Sequence, residues 1–370
     1  QWSVQLGCDA GARADAPRAF APCALRHTRA APTHGPDFKE HFPDRHHTPF
    51  LLPVDHPRPK LMQLIWRLVA DKPLGKASAA WLRSRGINPS VAHAYGCRDW
   101  TMAAAELDAL FGDTPDDALI ASGLAQRRPD GSLKHWVGLR ALDGEAWAQG
   151  LGFPVLHPGF PQAPMAWRWR LHEPLEMKSG ARLKAMAQYS GAPHMPMIPL
   201  GLLAPRAAQV ADIARWPHLS KTPESPRTAV VVCEGEPDWL SVAEVAASLE
   251  TEVAIVPIGL VAMSFGFPEE FVGVLADAER ILCVMDRGNT VKKDVGRDAR
   301  TGGEKVVDEI FGLLLYGRAQ AYGDFDRAFA ETSTQLARAL QPDDVDINDI
   351  HARGDGSLAR LLTTHLQGIL

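Results

Sequence analysis

The sequence predicts an α/β protein: a C-terminal domain with a central, mainly parallel sheet flanked by helices, preceded by a smaller α+β basic subdomain. From residue 227 onward, short apolar runs alternate with helical patterns, which is typical of a parallel sheet covered on both faces. Between about residues 130 and 205 the chain is strand-like, with tryptophans among prolines and glycines. The length of 370 residues and the hydrophobic content of 46% allow two domains with a substantial core.

Composition divides the chain into three segments. Residues 1–60 are rich in Ala, Pro and His and lack periodicity, so we expect an irregular N-terminal segment. Residues 61–226 are predicted to form the helical and α+β basic subdomain, and residues 227–370 the α/β domain. Within 61–226, "LMQLIWRLVADKPLGKASAAWLRSRGINPSVAHAYGC" reads as successive helices. Gly86 is expected to close one of them and Asn88, followed by proline, to cap the next.

Cysteine usage favours a reducing compartment. The five cysteines are scattered and odd in number, which predicts reduced thiols and a cytoplasmic location. Four side chains of the N-terminal segment are potential zinc ligands: Cys8, Cys23, His27 and His34. Zinc modules generally place their ligands in tight pairs, and Cys8 has no such neighbour, so zinc is disfavoured. Cys233 and Cys283 lie in apolar runs and are predicted to be core residues.

Charge and apolar content exclude several functions. No run approaches 18 apolar residues, so no membrane span is expected. "GKAS" at residues 75–78 lacks the first glycine and the Ser/Thr of a phosphate loop, which argues against an ATP-driven motor in this chain. Residues 127–228 contain 13 Lys+Arg against 7 Asp+Glu, whereas residues 229–370 contain 12 against 24. This asymmetry indicates a basic surface for a polyanion beside an acidic site for divalent cations; solvated charge without function is the alternative.

The C-terminal domain is predicted element by element. Strands are expected at about 228–233, 252–257, 280–285 and 318–322. Helices are expected at about 237–249, 268–277, 303–315 and 357–367. In "FPVLHPGFPQAPMAWRWRL", two short strands are expected around a turn-rich loop, and Arg168 and Arg170 should share one face because side chains repeat every two residues.

Acidic residues follow the predicted strands. Glu234 ends the run "AVVVC", Gly235 allows a sharp turn, and Asp238 lies in the first turn of the next helix. Asp286 ends "RILCVM", and "PDDVDINDI" supplies a late acidic cluster. Functional groups of parallel sheets gather at the carboxyl edge, and crowded carboxylates there favour a hard cation such as Mg²⁺. Each acid alone also has a structural explanation; Asp238, for example, favours the dipole of the helix N-terminus.

The motifs resemble those of the TOPRIM domain in bacterial and phage DNA primases. "VVVCEGEPDWLSV" resembles the first TOPRIM motif, "RILCVMD" the strand and first Asp of the second, and "DDVDIND" the late acidic motif. Upstream, "AAWLRSRGINPSVAHAYG" is similar to the Arg-Gly helical element that precedes the primase core. "FPVLHPGFPQAPMAWRWR" resembles the basic subdomain of that core. The resemblance covers roughly residues 61–365, in primase order.

This resemblance implies a metal-dependent nucleotidyltransferase that synthesises short RNA primers on a single-stranded DNA template from nucleoside triphosphates. Glu234 and Asp286 would be catalytic. Mg²⁺ or Mn²⁺ would be bound by five carboxylates: Glu234, Asp238, Asp286, Asp346 and Asp349. The nucleic acid and nucleotide would be bound by Arg168, Arg170, Arg182, Lys184 and Trp169. For the tryptophan, core packing is an equal alternative. A separate replicative helicase is a potential partner, and no membrane contact is expected.

One departure from the primase pattern leaves rival functions open. The second motif of the family is usually Asp-x-Asp, whereas here Gly288 occupies the second Asp position and about a dozen residues are inserted after it. Asp294 or Asp298 would have to supply the missing carboxylate, unless the late cluster suffices. A TOPRIM nuclease with the same metals, and a catalytically silent protein that binds single-stranded nucleic acid, are therefore the alternatives.

Overall fold

The computed structural model describes residues 56–135, 150–155, 164, 166–176, 182–187, 227–251, 253–260, 267, 275–276, 278–285, 302–340 and 346–366. All of them fall within the unit Thr48–Leu370; the other unit, Gln1–His47, lies outside the described residues. The domain boundaries predicted near residues 60 and 226 stay predictions.

The first described stretch is mostly helical. Its helices are α1 (Pro57–Val69), α2 (Lys76–Arg83), α3 (Pro89–Ala94), a 3₁₀ turn (Trp100–Ala103), α4 (Ala104–Asp113) and α5 (Asp116–Ala121). Leu61 and Ile65 of α1 are buried, as their spacing predicts. The predicted start of α3 is confirmed: the Asn88 side chain accepts a hydrogen bond from Ser90 N at 2.9 Å, and Pro89 occupies the first turn.

Two antiparallel sheets follow. β1 (Ala125–Arg127) and β2 (Leu133–His135) form a hairpin, and β3 (Gly150–Val155), β4 (Ala166–Glu176) and β5 (Arg182–Ala187) form a sheet in the order β3-β4-β5. The two strands predicted around the turn-rich segment are thus confirmed as β3 and β4, which pair in antiparallel register. Because side chains alternate along β4, its tryptophans and its arginines point to opposite faces.

A four-stranded parallel sheet confirms the predicted α/β class. Its strands are β6 (Thr228–Glu234), β7 (Ala254–Leu260), β8 (Arg280–Met285) and β9 (Leu336–Leu340), in the order β7-β6-β8-β9. The helices of this part are α6 (Glu236–Ser248), α7 (Gly302–Tyr322), α8 (Phe325–Gln335), α9 (Ile347–Ala352) and α10 (Ser357–His365). The chain moves from β6 outward to β7, and then returns to the other side of β6 for β8 and β9. The strand order therefore reverses between β6 and β8.

Helices cover both faces of the parallel sheet. On one face Val230 and Val232 pack in a core that includes Ile310 of α7; on the other, Val231 packs in a core that includes Trp239 of α6. Burial of both faces explains why β6 is a continuous apolar run rather than an alternating one. The helix α6 follows β6 and the helix α7 precedes β9, and the two helices lie on opposite faces of the sheet. In parallel sheets, such a reversal leaves a crevice at the carboxyl edge, here between β6 and β8.

The strand predicted at 318–322 is wrong. These residues are the last turns of α7, which is 21 residues long, and the fourth strand is β9 at 336–340. Ala, Arg and Gln in "YGRAQAY" are strong helix formers, and Arg318 is engaged by α8: its guanidinium donates to Thr332 Oγ1 at 3.1 Å and to Gln335 Oε1 at 2.5 Å. Despite its length, α7 is not apolar enough to cross a membrane, and neither is any other helix in the described ranges.

The other predicted elements are present in the structure, with bounds that agree to within about three residues except at the end of α7, which extends to Tyr322 rather than 315. The strands predicted at 228–233, 252–257 and 280–285 are β6, β7 and β8, and the helices predicted at 237–249, 303–315 and 357–367 are α6, α7 and α10. Of the helix predicted at 268–277, only residues 275–276 are described, and they are helical. Cys233 and Cys283 are fully buried, as predicted.

Gly86 provides a test of how the helical part packs on the C-terminal part. Its backbone has a φ of 74°, and a Cβ atom there would lie 3.0 Å from Cα of Ala352 in α9. We expect Gly86→Ala to lower the free energy of unfolding by about 1–3 kcal/mol, because of backbone strain and this close contact. The measurement is chemical denaturation.

The matched control is Gly112→Ala. Gly112 lies inside α4, and a Cβ atom added to it would have no neighbour within 4 Å, so alanine should stabilise the protein by about 0.5–1 kcal/mol. Equal effects of the two substitutions would contradict the packing described for Gly86.

Candidate active site at the carboxyl edge of the parallel sheet

Glu234 is the last residue of the central strand β6. It is partly exposed, whereas the five residues before it are buried. Gly235 then turns the chain with a φ of 80°, and its N–H donates to Leu260 O of β7 at 2.9 Å. The helix α6 begins at the next residue. A strand that ends in a carboxylate and a glycine turn therefore presents Glu234 at the crevice between β6 and β8, where ligands of open parallel sheets bind.

The neighbouring strand leads to the same edge. β8 runs parallel to β6, with Cys233 paired to Val284, and ends at Met285. Asp286 follows Met285 directly in the sequence but lies outside the described residues, as do Gly288, Asp294 and Asp298. The prediction that Asp286 meets Glu234 follows from the strand pairing and stays a prediction.

Asp238 fixes the late acidic segment to α6. Its Oδ1 accepts a hydrogen bond from Asn348 N at 2.9 Å, across 110 residues of sequence. The Asn348 side chain in turn donates to Ser241 Oγ at 3.1 Å. Asp238 is only 5% exposed. In this arrangement the carboxylate of Asp238 binds the first turn of α9, and its predicted metal contact stays a prediction.

The same contact brings two further carboxylates to the start of α6. Asp346 caps α9 and accepts a hydrogen bond from Asp349 N at 2.6 Å. Asp346 is partly exposed and Asp349 is exposed, so both keep carboxylate oxygens available to a ligand. The order of the elements places them near the carboxyl edge of the sheet because α9 packs on α6, which begins there.

A buried carboxylate, Glu236, connects this edge to the antiparallel sheet. Glu236 is the first residue of α6, is 1% exposed, and pairs with two arginines of β4. Arg168 donates its Nε–H to Oε1, and Arg170 Nη1 lies 3.4 Å from Oε2. The prediction that these arginines share one face is confirmed. Their charge is directed at a buried protein carboxylate, which sequence reasoning did not identify.

The tryptophans between these arginines are core residues. Trp167 and Trp169 are each 1% exposed, and the ring centroid of Trp100 lies 5.6 Å and 5.0 Å from theirs. Of the two alternatives for Trp169, the structure favours packing, since a side chain this deeply buried has no face open to a base. Arg182 and Lys184 belong to β5, but the structure does not describe their side chains.

The turn after α2 is bound between α6 and α9. Arg85 O accepts a hydrogen bond from Asn348 Nδ2 at 3.0 Å, and Gly86 O lies 3.1 Å from His351 Nε2. Asn88 N donates to Glu244 Oε2 at 2.7 Å. These contacts join residues up to 265 positions apart in sequence and place Arg85 beside the acidic edge. The "RSRGIN" motif is therefore an integral part of the site.

The side chains at this edge are of a chemical type that binds hard divalent cations. They are carboxylates, whose oxygens Mg²⁺ and Mn²⁺ prefer. The residues that the structure describes contain no group of three or more His, Cys, Asp or Glu side chains close enough to hold a metal. Glu234, Asp346 and Asp349 therefore do not form a metal site by themselves, and the predicted metal site stays a prediction.

A Ser-His-Asp group elsewhere is not a hydrolytic triad. Ser78 Oγ donates to Asp99 Oδ2 at 2.8 Å and lies 3.0 Å from His172 Nε2. Since the single hydroxyl proton points to Asp99, the imidazole must donate to Ser78 and is unable to act as its base. Ser78 is also fully buried. This group is a structural contact between α2 and β4.

Comparisons with known proteins do not name a family. No protein-family model matches the chain, and no curated protein matches it. A similar solved structure is the crystal structure of the Aquifex aeolicus primase, zinc-binding and RNA polymerase domains, at 12% identity and a TM-score of 0.49. The match covers 85% of this chain and 62% of that one. Likeness of this degree identifies neither a family nor an activity.

The buried ion cluster predicts a large loss of stability on Glu236→Gln. The substitution leaves Arg168 and Arg170 without their counter-charge, so we expect the free energy of unfolding to fall by about 3–5 kcal/mol. Denaturant unfolding of the wild type and the variant measures the difference. Glu331→Gln is the control, because the Glu331–Arg327 pair lies on the surface, with both side chains more than 40% exposed, and should contribute little. Equal effects would contradict a buried cluster.

The buried imidazole of His172 should make the free energy of unfolding depend on pH. Burial lowers the pKa of His172, against the opposing effect of Asp99 and Glu173, and protonated Nδ1 would have no described acceptor. In the unfolded chain the His172 imidazole binds a proton near pH 6.5, whereas in the folded chain it does so only at lower pH. Protonation therefore favours the unfolded chain, and the free energy of unfolding falls as the pH drops below about 6.5. In His172→Gln, where the amide still donates to Ser78, unfolding measured from pH 8 to 5 should show a smaller fall. An unchanged fall would refute the role of this imidazole.

Proposed function

We propose that the chain is a metal-dependent nucleotidyltransferase of the DNA primase type, which joins ribonucleotides into short RNA primers on single-stranded DNA. The main support is the geometry at the carboxyl edge. Glu234 ends the central strand at the strand-order reversal, and Asp238 holds the first turn of α9 beside it. The order of the motifs along the chain, which resembles that of TOPRIM primases, adds to this support.

Each described residue has a role that suits its surroundings. Glu234 would accept the proton of the attacking 3′-hydroxyl, because it is partly exposed at the crevice. Asp346 and Asp349, with Asp286, would bind Mg²⁺ or Mn²⁺. The ion would neutralise the triphosphate and activate the hydroxyl. Asp238 would act by holding α9, since its carboxylate accepts from the backbone there.

The partners proposed for this activity are nucleoside triphosphates and a single-stranded DNA template. Arg170, with Arg182 and Lys184 of β5, would bind phosphates, and the basic composition of residues 127–228 supports a polyanion as the ligand. A separate replicative helicase is a further proposed partner, and a cytoplasmic, nucleoid-associated location is part of the same proposal.

Two alternative functions would use the same residues at the carboxyl edge. A nuclease would employ the same carboxylates with water as the nucleophile. A silent binding protein is favoured by one observation, Gly288 in place of the second aspartate of the motif. Both alternatives predict different products from the same incubation, so a single assay separates them.

The test is extension on labelled single-stranded DNA with ribonucleoside triphosphates and Mg²⁺ or Mn²⁺. We expect short RNA products from the wild type and a loss of about 10²–10⁴-fold in Glu234→Gln, which removes the proton acceptor. Glu250→Gln is the control, because Glu250 is an exposed residue just after the far end of α6. Shortened DNA would indicate the nuclease. Salt-sensitive DNA binding without any product, unchanged in Glu234→Gln, would indicate the silent protein.

A further inference from the structure

The connection from α7 to α8, the aromatic turn of residues 321–329, exposes aromatic side chains. Among the residues that the structure describes, the exposed large hydrophobic side chains are Met102, Tyr316, Tyr322 and Phe325. Phe325 is 55% exposed, the largest fraction of the four. Residues 321–327 are exposed without interruption. Single apolar residues on a surface are ordinary, whereas aromatic side chains gathered at one turn are typical of an interaction surface.

The aromatic rings extend from the interior of the helix pair to solvent. Phe325 stacks on Phe329, with ring centroids 6.4 Å apart, and Phe329 packs edge-on against Phe311 of α7 at 5.6 Å. Phe325 has no part in capping α8, because Asp324 caps that helix and accepts a hydrogen bond from Arg327 N at 3.0 Å. Packing therefore accounts for Phe329 but leaves more than half of Phe325 in water.

The aromatic turn is held in one conformation by its own side chains. Tyr322 donates its hydroxyl hydrogen to Glu331 Oε2 at 2.8 Å, and Arg327 donates to Glu331 Oε1 at 3.1 Å. The Arg327 guanidinium also lies over the Tyr322 ring, with Cζ 4.4 Å from the ring centroid. These contacts join the end of α7 to α8. A partner would therefore bind a preorganised surface, at a small cost in conformational entropy.

The charge of the aromatic turn favours one kind of partner. Residues 321–331 contain three acidic residues and one basic residue, Arg327, which is paired with Glu331. Asp324 and Asp326 flank Phe325 in sequence, and both are exposed. Such a surface repels nucleic acid, and a second copy bound about a twofold axis would set the same carboxylates against each other. An apolar side chain flanked by basic residues complements it.

We propose that the aromatic turn binds a basic segment of a partner protein, with an apolar side chain of that segment on Phe325 and its Lys or Arg residues beside Asp324 and Asp326. An aromatic centre with a polar rim is typical of protein interfaces. The turn is smaller than a standard interface, so the expected complex is weak and transient. The proposal does not depend on the nucleotidyltransferase activity.

The test uses two synthetic amphipathic peptides as probes. Both have the same leucine face; the polar face is lysine in one and glutamate in the other. Binding to the full chain is measured by fluorescence anisotropy at about 0.15 M salt. We expect the lysine peptide to bind at least about tenfold more tightly than the glutamate peptide. Phe325→Ser should weaken binding of the lysine peptide by about tenfold. Asp324→Asn combined with Asp326→Asn should weaken it by about threefold, while asparagine still caps α8.

Two control variants match these changes elsewhere on the surface. Met102→Ser removes an apolar side chain that is 40% exposed outside the aromatic turn. Asp113→Asn combined with Glu250→Gln removes two charges from exposed positions. Both controls should bind the lysine peptide within about twofold of the wild type. All the substituted side chains are exposed, so the variants should fold, and circular dichroism checks this.

The proposal is overturned if the wild type binds neither peptide, binds both equally, or binds the lysine peptide no better than Phe325→Ser does. It is also overturned by a wild-type dimer that Phe325→Ser dissociates in sedimentation velocity, since that result assigns the turn to a second copy. Loss of oligothymidylate binding in Phe325→Ser would assign it to nucleic acid instead. None of these measurements requires primer synthesis, so this proposal and the proposed function fail separately.

Discussion

The hydrogen bond from Asn348 N to Asp238 Oδ1 is the contact on which the architecture of the site depends. It joins the first turn of α6 to the first turn of α9, and so brings the late acidic segment to the strand that ends at Glu234. The bond is buried, so losing the Asn348 donor would lower the free energy of unfolding, because a buried carboxylate oxygen would lose this hydrogen bond. The same asparagine also holds the turn of Arg85, so one residue connects three distant segments of the chain.

The second constraint is electrostatic. The domain from residue 229 onward is acidic and the preceding region is basic, and their charges meet at Glu236. A carboxylate at the first position of a helix is favoured by the helix dipole, and here it also pairs with Arg168 and Arg170 of β4. Positive and negative groups are thereby held side by side at the carboxyl edge. The ligand that we propose, a nucleotide with its metal ion, likewise carries both signs of charge.

Much of the parallel sheet was predictable from sequence, because β6, β7 and β8 are buried apolar runs. β9 was not, since "LARAL" is neither strongly apolar nor β-branched, and the strand forms through pairing with β8. In the site, Glu234 was predictable as the carboxylate after a buried strand. The contacts of Arg85, Glu236 and Asn348 were not predictable, because their partners lie up to 263 residues away. The only local signal for Glu236 was its acidic character at a helix start.

The most direct test of the metal site is the anomalous signal of a crystal of the protein soaked with Mn²⁺. We expect a peak at the carboxyl edge between β6 and β8, with oxygens of Glu234, Asp286 and the start of α9 at about 2.0–2.2 Å from the metal or linked to it by one water. A structure in which Glu234 and Asp286 point away from each other, with no metal between them, would contradict the site.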